Sequence, residues 1–233
     1  MLARVWLNVD LGELPDEPEE LYACAHVANV ACGGHAGDDA SMRRAIALCT
    51  AHGAMLGAHP SYPDRQGFGR RHLAMAPDDL RRSLGDQCAR LAALASEAGA
   101  SIAFVKPHGA LYHEAQGDEA TAEAIALAAR LALGGVTVVG PARGALARAA
   151  ARATLPFARE GFADRATRED GSLVPRGQPG ALVLDPGAAA ARALDLVSAG
   201  EVDTICVHGD TPDAVAIARA VRRVLDALAG AGG

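Results

Sequence analysis

Two kinds of hydrophobic segment alternate along this chain, and that alternation limits its fold more than any other feature. Short β-branched runs stand at Arg4–Asp10, Val27–Cys32, Ala54–His59, Ile102–Lys106, Val136–Gly140, Leu155–Glu160 and Thr204–His208. Between them, Ala-, Leu- and Arg-rich stretches near 39–52, 77–98, 119–133, 143–153, 187–199 and 212–229 carry apolar residues at helical spacing. Residues 14–25 admit a helix only from about Pro18 onward, because proline has no amide hydrogen to give a helix interior. Ala-Pro-Asp-Asp at 76–79 and Gly-Asp-Thr-Pro-Asp at 209–213 read as helix starts capped by side chains. The run Ala181–Asp185 is either one more strand or an ordered loop.

Strands that alternate with helices imply a parallel sheet, since parallel neighbours need crossover connections. Periodicity alone allows a closed barrel or an open doubly wound sheet. In both, the loops after the strand C-terminal ends hold the site. No linker or shift of composition divides the 233 residues, so a single domain over 1–233 is expected.

The strand ends are where the polar chemistry lies. Asn8 and Asp10, His35, His59, Lys106 with His108, Glu160 with Asp164, and His208 with Asp210 each follow an apolar run. A lone loop polar residue is usually just solvated. Recurrence in six of seven units points instead to one shared pocket. Lys106 is the only lysine among 22 basic residues. A compact ammonium with three donors suits a developing oxyanion, a carboxylate or a phosphate. Asn8 and Asn29 are the only asparagines and stand inside strands, where asparagine is uncommon. Each is either a satisfied structural link or a substrate donor. Glycines cluster nearby at 32–38, 66–71 and 107–109, where they let backbone approach a ligand.

Several function classes are disfavoured. A net charge of −6 and 3% aromatic residues leave neither the basic footprint nor the stacking platforms of a nucleic-acid binder. Five cysteines without a CxxC pair argue against a disulfide framework or a thiolate zinc site. The uncharged stretch Ala45–Pro63 contains His52, His59 and two prolines, which no membrane span would carry, and no leader-like apolar stretch opens the sequence. A soluble, cytoplasmic protein is expected. GxxxxGK[ST], GxGxxG, HExxH and GxSxG are all missing, so no standard phosphate loop, zincin helix or nucleophile elbow is written here. Asp10 with two histidines offers the N/O ligation that zinc or manganese accepts.

Longer motifs narrow the reading. Asn-Val-Asp-Leu-Gly-Glu (8–13), Ala-Asn-Val-Ala-Cys-Gly-Gly-His-Ala-Gly-Asp (28–38) and the 57–71 segment from Gly-Ala-His-Pro to Gly-Phe-Gly-Arg-Arg resemble the LamB/YcsF family. So do Val-Lys-Pro-His-Gly-Ala-Leu-Tyr (105–112), Phe-Ala-Asp-Arg (162–165), Asp-Gly-Ser-Leu-Val-Pro-Arg (170–176) and Asp-Thr-Ile-Cys-Val-His-Gly-Asp-Thr-Pro (203–212). The resemblance runs nearly end to end. It implies a distorted seven-stranded TIM-like barrel related to glycoside hydrolases and polysaccharide deacetylases. It also implies one subunit of a bacterial enzyme that opens the lactam of 5-oxo-L-proline to L-glutamate while hydrolysing ATP, with Mg2+, beside B and C subunits. Three positions depart from the family pattern: Val9 for a cysteine, Gly34 for a phenylalanine, and Thr167 for an aromatic. The last two are expected to remove rings from the pocket wall.

On that resemblance, phosphoryl transfer from ATP activates the lactam oxygen and water attacks the carbon. Lys106 would face the oxygen or phosphate, aided by Arg70 or Arg71. Asp10, Glu13 or His59 would take the water's proton. Asn8, Asn29, His35, His108, Asp164, His208 and Asp210 would bind substrate. ATP would bind either at the loop 66–71 or at a site shared with the partners. Two alternatives stand beside this: a metal-dependent carbohydrate or amide hydrolase with Asp10, His35 and His59 as ligands, and a non-catalytic binding subunit.

Overall fold

The computed structural model describes residues 5–168 and 172–231. Arg4, at the start of the first expected strand, and Asp170 and Gly171, in the 170–176 motif, lie outside the described residues. The seven expected strands are all present: β1 Trp6–Leu11, β2 Val27–Ala31, β3 Met55–His59, β4 Ile102–Val105, β5 Thr137–Gly140, β6 Phe157–Phe162 and β7 Thr204–His208. They pair in chain order, every neighbour parallel, and β1 meets β7 to close the barrel. The open-sheet alternative is thereby excluded.

Eight helices surround the described barrel: α1 Glu19–Cys24, α2 Asp39–His52, α3 Pro77–Glu97, α4 Gly109–Glu114, α5 Glu119–Leu133, α6 Ala145–Arg152, α7 Pro186–Ser198 and α8 Ala214–Ala231. Local chemistry sets their ends. The Asp38 side chain accepts from the Ser41 amide at 2.9 Å and Ser41 Oγ accepts from the Asp38 amide at 2.8 Å, a reciprocal cap on α2. Gly53, at φ +69°, closes that helix in a left-handed conformation that side chains disfavour. The expected side-chain cap at 76–79 is not formed. Ala76 has no side chain able to cap, and α3 starts instead on Pro77, whose fixed φ suits a first turn. Residues 181–185 form no strand: Leu182 makes one antiparallel bridge to Arg165, and Asp185 caps α7. No described helix is long and apolar enough to cross a membrane.

Alternation along the strands sorts residues between two cores. Leu7, Val9 and Leu11 of β1 point outward into the main layer between strands and helices, fully buried. Trp6, Asn8 and Asp10 point inward. The barrel's lower end is plugged by Trp6, Val27, Phe104, Val139 and Ala158, with the Trp6 and Phe104 rings edge to face at 5.6 Å. Above the plug the interior becomes polar, one strand position at a time.

Candidate active site

Register places the polar interior. Asp10 stands beside Asn29 across the β1–β2 ladder and beside His208 across β1–β7. Asn8 donates through Nδ2 to Thr204 Oγ1 at 2.9 Å, and Thr204 in turn donates to the Trp6 carbonyl at 3.0 Å. Asn29 Nδ2 donates to Asn8 Oδ1 at 2.8 Å and to Asp10 Oδ1 at 3.0 Å. Both asparagines thus form a hydrogen-bonded layer under the site and do not line the cavity.

Lys106 stands on that layer. Its ammonium lies 3.0 Å from Asp10 Oδ1, 2.8 Å from Glu160 Oε1, 3.2 Å from Asn8 Oδ1 and 3.1 Å from Cys206 Sγ. Tyr112 Oη donates to the other Glu160 oxygen at 2.7 Å. Burial opposes charge on Lys106, but the neighbouring carboxylates outweigh it and hold the ammonium well above its ordinary range. Burial likewise pushes Asp10 up, and His59 and Lys106 together pull its carboxyl well below the usual range. The pair is therefore ionised. Burial keeps the Cys206 thiol protonated.

Beside this pair, β1 ends in Gly12, whose φ of +72° turns the chain, and the Gly12 amide is held by Glu17 Oε2 at 2.8 Å. The turn aims Glu13 over the barrel, where its Oε1 lies 2.9 Å from His35 Nε2, 3.3 Å from His108 Nδ1 and 3.6 Å from His59 Nε2. His35 and His108 stack with centroids 3.7 Å apart and planes parallel within 1°. Burial depresses His35 to about 4 and lowers His108, whereas burial of His59 is overcome by Asp10, which raises it. The imidazoles of His108 and His35 hold the Glu13 carboxyl below its ordinary range and outweigh its burial.

Above this floor opens a cavity of about 380 Å³, at the small end of the range for small-molecule sites. Asp10, His59, Lys106, His108 and His208 line it, so residues distant in sequence do gather at one rim of the barrel. His208 stacks on Phe162 and is fixed from behind by Asp164, which accepts from its amide at 3.0 Å and lies 3.0 Å from its Nδ1. The mouth carries Arg70, Arg165, Arg176 and His113. Asp210 does not line the cavity; it is ion-paired to Arg70 and Arg176 and positions both. Arg71 lies outside the cavity, exposed and paired to the buried Asp64 of the same loop.

Arg165, Arg176 and Tyr112 line this cavity and were not among the site residues expected, whereas Glu160, expected at the shared pocket without an assigned role, lies in its floor. Signals for the other three existed: Tyr112, Arg165 and Arg176 each close one of the family-like motifs. Gly34 removes no ring from the cavity. A Cβ there would meet Ser61 Oγ at 2.4 Å and Gln87 Oε1 at 2.5 Å, on the far side of the β2 loop. Thr167 accepts from Arg192 at 3.0 Å and likewise lies outside the cavity.

The LamB/YcsF family model matches residues 5–231. The chain belongs to the LamB/YcsF family. A relative from Methylococcus capsulatus, named as the A-type subunit of 5-oxoprolinase, is 47% identical, over 97% of this chain and 94% of its own. The crystal structure of a lactam utilization protein from Thermus thermophilus superposes with a TM-score of 0.89 at 37% identity, over 97% of both chains. A GH113 β-1,4-mannanase (TM-score 0.53, 12% identity) and a family 4 carbohydrate esterase from Streptomyces lividans (0.51, 13%) share the fold alone. The expected kinship with such barrels therefore holds at the level of architecture.

Asp164 yields a pH prediction. Burial raises it, but the His208 charge and the bonds from His208 and Thr211 outweigh burial and bring it to about 2, against an ordinary 3.8. A depressed carboxyl stabilises the fold above its unfolded pKa and loses that contribution as pH falls through the folded value. Asp164 should therefore contribute about 2 kcal/mol above pH ~4, fading towards pH ~2. The Tm gap between wild type and Asp164→Asn should narrow over that interval. A gap constant from pH 6 to pH 2 would refute it.

Proposed function

We propose that this chain is the A-type subunit of a cytoplasmic enzyme that opens the lactam of 5-oxo-L-proline to L-glutamate. The reaction is coupled to hydrolysis of ATP with Mg2+ and needs B and C subunits. One observation carries the reading: in a family whose relatives are named as 5-oxoprolinase subunits, a single cavity pairs an acid–ammonium floor with a guanidinium mouth. Five buried cysteines, all free, suit a reducing compartment.

A five-membered lactam is an unstrained amide and a poor electrophile. In the proposed sequence the amide oxygen attacks the γ-phosphorus and ADP leaves. Water then adds to the activated carbon, the C–N bond breaks as nitrogen takes a proton, and a second water releases phosphate from the acyl phosphate. Asp10 lines the cavity as a carboxylate and accepts the proton of the attacking water. Lys106 has carboxylate, amide and thiol neighbours for its protons, so it holds Asp10 ionised and supplies positive potential at the floor. The mouth receives anionic groups, the substrate carboxylate or a phosphate. The volume suits a lactam acid better than a whole nucleotide, which supports an ATP site completed by the partners.

Arg165 is 4% exposed, and its Nε and the Arg176 Nη2 are buried without a partner. Replacing Arg165 with Met should raise KM for 5-oxoproline ~10–100-fold, the worth of one charge-assisted bond, and leave kcat less affected. An unchanged KM would remove Arg165 from substrate recognition. The reading as a whole is tested by measuring glutamate and ADP formation from 5-oxoproline with this chain alone and with its partner subunits. Stoichiometric glutamate and ADP only in the assembled complex is the expected result. Neither product in any combination refutes the reading, and turnover unaffected by omitting this chain refutes its catalytic part.

A further inference from the structure

Two imidazoles at the floor meet in a way that ordinary hydrogen bonding does not complete. His59 Nδ1 lies 2.7 Å from the Lys106 carbonyl, and His108 Nε2 lies 2.9 Å from the Phe68 carbonyl. A carbonyl only accepts, so each ring has its proton on that outer nitrogen. In neutral rings the inner nitrogens, His59 Nε2 and His108 Nδ1, point lone pairs at each other across 3.0 Å. Glu13 Oε1, another acceptor, faces the same point at 3.3 and 3.6 Å. With both rings neutral, three electron-rich atoms converge on one point, and Asp10 Oδ2 lies a further 3.4 Å from His59 Nε2.

We propose that Glu13, His35, His59 and His108 bind one divalent first-row transition-metal ion, zinc by preference, at the floor of the cavity. The ligand atoms of these four residues all lie within 4.8 Å of one another. A tetrahedral ion with bonds of about 2.0–2.1 Å separates its ligands by about 3.3 Å, close to the contacts between Glu13 and the imidazoles. The carbonyl contacts of His59 and His108 are what fixes a metal-binding histidine in the required tautomer. His35 supplies the fourth position through Nε2, and its Nδ1 is buried without a hydrogen-bond partner in the present arrangement.

Charge points the same way and is independent of ligand geometry. Asp10, Glu13 and Glu160 have side chains at most 4% exposed, and Lys106 is the one ammonium set among them. Buried carboxylates beyond what a cation matches are costly. A divalent ion beside Glu13 brings that group to neutrality. Asp10 is not in the ligand set, because its oxygens are engaged by Lys106 and Asn29. That differs from the Asp10, His35 and His59 trio considered from the sequence. Three nitrogens and one carboxylate favour zinc over magnesium or calcium, which prefer oxygen.

The site is tested without reference to turnover, so its failure and that of the lactam-opening reading are separable. Full-length protein purified without chelator is analysed for metals, then stripped and titrated with Zn2+ and Co2+. About one zinc per chain, a tetrahedral Co2+ absorption band and a Tm that rises with added zinc are expected. Glu13→Gln, an isosteric change, and His108→Ala should lose stoichiometric binding, whereas the exposed His72→Ala should retain it. Wild-type protein that holds no metal and takes up neither ion would overturn the proposal, with a shared proton joining His59 to His108. Equal uptake by wild type, Glu13→Gln and His108→Ala would overturn it too, marking the metal as adventitious.

Discussion

Lys106→Met should reduce turnover of 5-oxoproline in the assembled enzyme at least ~100-fold and destabilise the chain by about 3–5 kcal/mol. The two effects share one cause. The ammonium lies within 3.0 Å of Asp10 and 2.8 Å of Glu160, and all three side chains are buried. Removing the cation leaves two acidic groups in a site with little water. An uncompensated buried charge is far more costly than the intact pair is favourable. The variant lessens that cost by keeping protons on the carboxyls, so their folded pKa rises above the unfolded one. A group shifted upward stabilises below its unfolded pKa and loses that contribution as pH rises through the folded value. The stability deficit of Lys106→Met relative to wild type should therefore be larger at pH 8 than at pH 5, and denaturant titrations at both values measure it. A deficit independent of pH, or turnover within threefold of wild type, would show that Lys106 is not the counter-ion of the floor.

The barrel's strands could be read from the sequence because each is a short β-branched run bounded by a helix-forming stretch. Even the unit without a pocket residue was visible: β5 ends at Gly140, where a Cβ would meet Leu146 and Phe157, and the segment after it, 141–144, carries only Arg143 as a polar side chain. Closure was not legible. It depends on how far each strand slides against the next, including the shift at Leu56/Gly57 between β3 and β4, and no local pattern encodes that. Helix α4 was missed because six residues are too few to show a period.

The site was legible in position and much less so in depth. Scarcity singled out Lys106, Asn8 and Asn29, and all three do lie in the barrel interior. Composition says nothing about which layer of a barrel a residue occupies. Register does, and it places the asparagines under the ammonium, with Asn29 packed over Gly57, where a Cβ would lie 2.6 Å from its Oδ1. The opposite problem hid Arg165 and Arg176. In a chain where nearly every basic residue is arginine, composition does not single out two more, and only their places at the ends of two motifs mark them before the fold sets them at the mouth of the cavity.

Asp10→Asn is the sharper test of the chemistry, because it keeps shape and removes charge. Loss of a positioned proton acceptor costs roughly 10²–10⁴-fold, and a carboxylate held well below its usual range is a weak acceptor. The expected fall in kcat therefore lies towards the lower end, ~10²-fold, with KM for 5-oxoproline changed much less. A carboxamide cannot satisfy the same neighbours. Asp10 Oδ1 now accepts from both Asn29 and Lys106, whereas a carboxamide in its place, turned the wrong way, would present hydrogens to two donors. Whichever way it turns, Glu160 becomes the sole carboxylate against Lys106. Combining Asp10→Asn with Lys106→Met should accordingly cost less than the sum of the two, since the first removes one of the charges the second would strand. Additive losses in kcat and stability would mean that the two residues act separately, and the acid–ammonium floor would no longer explain the site.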